Sequence, residues 1–162
     1  MKYLPFEHLI YKTDLSEKEA IKKLSDCIET KRSGFIFNRT STKEYEGFID
    51  GNSFEINRII KNRNSFLPQI TGTIQNNTYE TQIEIKMRLS WFVLVFMIFW
   101  CSFVMLFLVV FLAIAFTQAG KISGGIFIPV SMLAFAYLLT MFGFKSESKK
   151  SKEDLKKIFE AK

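Results

Sequence analysis

Two long runs without one charged side chain, residues 89–120 and 122–144, constrain this chain more than any other feature in it. Each exceeds the roughly 20 apolar residues that a helix rising about 1.5 Å per residue needs to cross about 30 Å of hydrocarbon. The pattern predicts two transmembrane helices, over residues 91–116 and 122–143. The connector around Gly120 and Lys121 is too short for the second helix to start anywhere but the side where the first one ended. The pair is therefore read as a hairpin, with both ends of the chain on one side of a bilayer.

Residues 1–88 precede the hairpin and residues 145–162 follow it. A segment of the former size can bury one small core. The net charge of +6 is uneven. Lys86 and Arg88 stand before the first run and Lys145, Lys149, Lys150 and Lys152 after the second, against Lys121 alone in the connector. Basic residues accumulate on the cytoplasmic side of spanning helices, so both termini are expected in the cytoplasm. Lys86, Arg88, Trp91, Lys145, Lys149 and Lys150 are the expected membrane-interface residues. The tail lysines would meet anionic headgroups, with Trp91 at the headgroup level. No basic face interleaved with aromatics marks the first 88 residues, which argues against a nucleic-acid partner. Cys27 and Cys101 fall in separate segments and are read as small buried apolar residues.

Ser16 with Glu19 forms a capping-box signature, and Ala20, Ile21, Leu24, Cys27 and Ile28 recur at steps of three and four. That predicts a helix over residues 16–29 with one apolar face. Strand patterns follow at 34–38, 43–49, 53–60, 69–75 and 79–89, with Asp50-Gly51-Asn52 as a tight turn. In the last of these, Tyr79, Thr81, Ile83, Ile85, Met87 and Leu89 alternate with Glu80, Gln82, Glu84, Lys86 and Arg88. Such alternation means one covered and one wet face. Residues 1–14 read as an extended apolar lead-in. In the tail, Leu155, Ile158 and Phe159 backed by Lys152, Lys156 and Lys157 predict a short amphipathic helix, lying on lipid or docked on the sheet.

The fold class expected is thus an α+β membrane protein: an N-terminal helix packed on a four- or five-stranded antiparallel sheet in residues 1–88, a transmembrane hairpin in 89–144, and a basic tail helix in 145–162.

The most polar connection, residues 58–68, gathers Arg58, Lys61, Arg63, Asn64 and Ser65. Guanidinium forks and amide donors on a loop can grip a phosphate or carboxylate, so these five residues are the candidate site for a small anionic ligand. The competing reading has Asn64 and Ser65 bonding the local backbone, Arg63 pairing with Glu55, and Phe66 with Leu67 plugging the core edge. His8, the single histidine, has no carboxylate or hydroxyl at a recognisable spacing. One histidine and two separated cysteines do not supply a metal site, and no catalytic or cofactor motif is present.

Phe54-Glu55-Ile56-Asn57-Arg58, Arg63-Asn64-Ser65-Phe66, Pro68, Gly72, Met87-Arg88 and Gly143-Phe144-Lys145 together resemble a group of uncharacterised bacterial two-span membrane proteins. The resemblance implies the architecture and a bacterial inner membrane, and it carries no activity.

The function expected is that of a membrane-anchored, non-enzymatic module whose cytoplasmic sheet binds a protein partner or a small anionic ligand beside the bilayer; the partners expected are the lipid bilayer and a protein partner or homo-oligomer. Two other classes stand behind it. One is an oligomeric pore-forming or membrane-disrupting effector gated by the soluble domain, with Ser102, Ser123, Ser131 and Thr140 as the polar lining of a pore; the other is a lipid-handling enzyme built around Arg58 and Arg63. Neither run carries an ionisable group of the kind transporters place at membrane depth.

Overall fold

The structure, a computed structural model, describes residues 4–30, 43–60, 64–77, 80–117 and 124–162. It divides into a unit formed by Met1–Ser90 with Gly143–Lys162 and a unit formed by Trp91–Phe142.

The first unit is built on strands β1 (Phe6–Thr13), β2 (Ile28–Thr30), β3 (Tyr45–Asp50), β4 (Ser53–Arg58), β5 (Pro68–Asn76) and β6 (Thr81–Leu89). They form one six-stranded sheet in the order β1-β6-β5-β4-β3-β2. Every neighbouring pair is antiparallel except β2 with β3, which is parallel. The sheet is therefore larger than the four or five strands expected, and mixed rather than purely antiparallel.

Both additions come from segments whose local pattern conceals a strand. Leu9, Ile10 and Tyr11 are consecutive apolar residues, so β1 shows no clean alternation. Pairing with β6 sorts them, turning Leu9 and Tyr11 toward the core and leaving Ile10 exposed. At β2 the chain leaves the helix two residues earlier than expected, with Ile28 already extended at φ −101° and ψ 132°. The strand expected at 34–38 lies outside the described residues.

The alternation read in the last strand holds. Thr81, Ile83, Ile85, Met87 and Leu89 are buried, while the residues between them face the other side. β3 and β4 meet at a two-residue turn in which Gly51 adopts φ 54°, a left-handed conformation open to glycine at little cost.

Helix α1 (Glu17–Cys27) starts at the predicted capping box: the Ser16 side chain accepts from Glu19 N–H, and Glu19 accepts from Ser16 N–H at 2.9 Å. Its Ala20 and Leu24 are fully buried against the sheet. The tail does not form a helix of its own. It is the second half of a 32-residue helix, here α3 (Phe127–Ile158), which follows α2 (Trp91–Thr117) and a single 3-10 turn at Gly124–Ile126.

Residues 143–158 of α3 belong to the sheet unit and share the face that α1 covers. Phe144, Leu155 and Phe159 have no exposed surface, and the Phe54 and Phe159 ring centroids are 6.2 Å apart. Tyr11 Oη donates to Lys152 O at 3.1 Å. The helix ends in a Schellman closure, with Glu160 N–H bonded to Lys157 O, Ala161 N–H bonded to Lys156 O, and Glu160 at φ 49°. Lys162 N–H then donates to Lys12 O at 3.1 Å on the outer edge of β1.

In the second unit, α2 shields one narrow stripe, Val93, Met97, Cys101, Val104, Leu108, Phe111 and Ala115, spaced by threes and fours. In residues 127–142 of α3 the corresponding stripe is Pro129, Leu133, Ala136 and Thr140. Thr140 Oγ1 returns its hydrogen bond to Ala136 O at 2.8 Å, so this buried hydroxyl adds no unsatisfied group. Outside the stripes the surface is Phe, Leu, Ile, Val and Trp, and both helices are long and apolar enough to cross a membrane.

Candidate functional site

The sheet unit presents two concentrations of polar side chains, one under the helices and one on the bare face.

Under the helices, Tyr45 and Arg58 are register partners on the covered sides of β3 and β4. Glu147, Ser151 and Asp154 recur on α3 at steps of four and three, which places them on one side of that helix. Arg58 Nη1 lies 3.3 Å from Glu147 Oε2 and Arg58 Nη2 lies 3.0 Å from Asp154 Oδ2, with 23% of the arginine side chain exposed. Lys150 Nζ closes on Glu147 Oε1 at 2.8 Å. Tyr45 Oη is buried beside the Ser151 hydroxyl, and neither closes a hydrogen bond of good geometry. Burial pushes the Tyr45 hydroxyl far above the ordinary phenol range, and the charge of Asp154 adds to this. Tyr45 therefore stays neutral and cannot serve as a base at physiological pH.

The expected anion loop is divided by the fold. Arg58 has both arms of its fork engaged by carboxylates. Asn64 Oδ1 accepts from Phe66 N–H at 3.0 Å and its Nδ2 donates to Gly143 O at 3.1 Å, so this side chain ties the loop to the start of the helix segment. Ser65 is exposed, and Phe66 packs on the core edge. Lys61 and Arg63 lie outside the described residues. Of the five candidates the structure therefore brings Arg58 and Asn64 together against α3.

The expected interface residues also separate. Trp91 is 74% exposed at the start of α2. Lys86 and Arg88 stand on the bare face of β6, Lys86 Nζ at 2.8 Å from Glu84 Oε1. Lys145 and Lys150 make ion pairs inside the sheet unit, while Lys149 is exposed.

Lys145 and Lys152 both reach Glu7 on the covered side of β1, at 2.5 and 2.9 Å. Burial alone would raise the Glu7 carboxyl, but the hydrogen bonds and charges of the two lysines outweigh it and hold the group below its ordinary value. A carboxyl with a lowered folded pKa contributes stability above its unfolded value, and that stability is lost as pH falls through the folded one. The urea midpoint of the sheet unit should therefore fall on acidification below about pH 4.3, the ordinary glutamate range, and Glu7→Gln should flatten that limb. An identical acid limb in wild type and variant would exclude the assignment.

The bare face carries three cross-strand rows. The middle one runs Phe48, Glu55, Thr71, Lys86, His8 across β3, β4, β5, β6 and β1. On one side of it lies Asp50, Ser53, Thr73, Glu84, Ile10. On the other lies Glu46, Asn57, Gln69, Arg88, Phe6. A shallow depression of about 320 Å³ is lined by Phe48, Ser53, Glu55, Thr73, Glu84 and Lys86, among others. Glu84 accepts from Lys86 and, at 2.9 Å, from His8, and these hydrogen bonds lower its carboxyl. Phe48 is 54% exposed, Ile10 52% and Phe6 36%. No helix covers these side chains among the described residues.

The sequence pattern gave the wet side of β6 but missed this surface, because the strand status of residues 6–13 was hidden. Without β1, Phe6 and Ile10 have no assigned face. Among the described residues no group of three or more His, Cys, Asp or Glu could hold a metal ion.

Comparison with protein families, with curated proteins and with solved structures finds no match for this chain.

Proposed function

We propose that this chain is a membrane-anchored, non-enzymatic binding module of a bacterial inner membrane. Helices α2 and α3 supply the anchor, both termini lie in the cytoplasm, and the sheet unit is the binding part. The observation that carries the anchor is the surface of α2. Of 27 residues Val104 alone is buried, while Phe92 is 78%, Phe99 68% and Phe116 84% exposed. Apolar surface on this scale exceeds the few hundred Å² that soluble monomers leave open, and lipid satisfies it. The tail lysines support cytoplasmic termini by the positive-inside rule.

The bare sheet face supports the binding part. It combines exposed aromatic and aliphatic side chains with fixed charges, the composition of a recognition surface rather than of a solvated one. The Arg58 guanidinium under α3 is engaged by Glu147 and Asp154 and ties β4 to that helix.

The protein should stay with membranes through alkaline carbonate, and a photo-crosslinking residue at Phe48 should give one adduct of discrete mass in cells. Release by carbonate would remove the anchor. A Phe48 probe yielding monomer alone would remove the binding role of this face.

A further inference from the structure

We infer that the occupant of the bare sheet face is the same face of a second copy of this chain, related by a twofold axis parallel to β5. This rests on the binding reading above and names the partner it leaves open. The argument is the arrangement of charge and apolar surface across the strands.

β5 is uncharged on this face, presenting Gln69, Thr71, Thr73 and Gln75. To one side, β3 and β4 carry Asp50 and Glu55, which form no ion pair among the described residues. To the other side, β6 and β1 carry Lys86, Arg88, His8 and Lys12 together with Glu84, which pairs with Lys86 and His8 and leaves this side net basic. An axis over β5 exchanges these two sides and keeps each cross-strand row facing itself.

In the middle row, Glu55 and Lys86 are both register partners of Thr71. The axis therefore sets Glu55 against Lys86 of the second copy, twice by symmetry. It also sets Phe48 over His8 of the second copy, between Phe6 and Ile10, so the exposed apolar side chains of β3 meet those of β1. In the row beyond, Glu84 meets Ser53 of the second copy. In the remaining row, Arg88 meets Asn57. In the middle row charge meets opposite charge and apolar surface meets apolar surface, as an isologous interface requires, while at the ends of the outer rows Asp50 falls opposite Ile10 and Glu46 opposite Phe6 of the second copy.

Two sheets stacked face to face stand about 10 Å apart, room for one layer of side chains from each. Five strands spaced about 4.8 Å cover a patch of standard size at most, toward the weak end of specific interfaces. A membrane anchor that confines copies to one plane raises their effective concentration enough for such an interface to matter.

The test uses the full chain in liposomes, with association read by energy transfer between labelled copies as the protein-to-lipid ratio is varied. Wild type should associate. Glu55→Lys and Lys86→Glu should each weaken association about tenfold, since each places two like-charge contacts across the axis. A mixture of the two single variants should recover wild-type association, as should the doubly reversed chain. That recovery separates the interface from any folding defect. Thr71→Arg, which sets two guanidiniums face to face on the axis, should prevent association.

Wild type that stays monomeric at every density overturns the inference, as do single reversals that associate normally or a mixture that does not recover. A Phe48 adduct with a different protein in cells, with monomers in liposomes, would overturn the second copy and leave the binding module standing. The absence of any adduct would remove both.

Discussion

A chain cut after Phe142 is expected to lose the fold of its sheet unit altogether. The cut removes Phe144, Leu155 and Phe159, all with no exposed surface, from the cluster that also holds Ile56, Ile70, Ile83 and Met87. Burial of three such side chains contributes roughly 1.5–3 kcal/mol each, a sum of about 5–9 kcal/mol. The whole net stability of a small domain is about 5–15 kcal/mol. The cut also strands Arg58 without Glu147 and Asp154, and leaves the covered side of β1 and β6 bare. Residues 1–90 expressed alone should accordingly show poor amide dispersion by NMR and rapid proteolysis. Addition of a peptide of residues 143–162 should restore the native spectrum if the segment acts by packing. A dispersed, protease-resistant spectrum from residues 1–90 alone would show that the helix segment decorates a core it does not complete.

Arg58→Met should destabilise the sheet unit by about 2–3 kcal/mol. The guanidinium sits between Glu147, which is 9% exposed, and Asp154, and its removal leaves two carboxylates facing an apolar side chain. Breaking a fully buried pair costs about 3–5 kcal/mol, and the partial exposure of Arg58 and the remaining contact of Lys150 with Glu147 reduce that figure. The charge accounts for the loss if Arg58→Met with Glu147→Gln and Asp154→Asn recovers most of the stability. A denaturant midpoint unchanged in the single variant would show the ion pairs to be energetically idle. An unrecovered triple variant would point instead to the packing of the arginine stem against α3.

How much of this was legible beforehand depends on how far each signal reaches along the chain. The Ser16 capping box, the stripe of Ala20 and Leu24, the Gly51 turn and the two-sided pattern of β6 are local, and each appears where periodicity and turn chemistry put it. The candidate loop was legible as polar, but its use was not. Arg58 finds its carboxylates 89 and 96 positions away, and Asn64 finds Gly143 79 positions away. No spacing rule connects such residues.

What the sequence by itself determined is what short-range periodicity encodes: two helices apolar enough for hydrocarbon, a capped amphipathic helix, and strands with one wet and one dry side. The tertiary structure alone decided that residues 6–13 are an edge strand, because a run such as Leu9-Ile10-Tyr11 acquires an inside and an outside only when β6 pairs with it. It also decided that the tail is the far half of α3 and a wall of the core. Leu155 and Phe159 read equally well as lipid-facing or sheet-facing until Tyr45, Phe54 and Arg58 supply a surface that fits them. Burial is a property of pairs of segments, and the pairing is set by the whole chain.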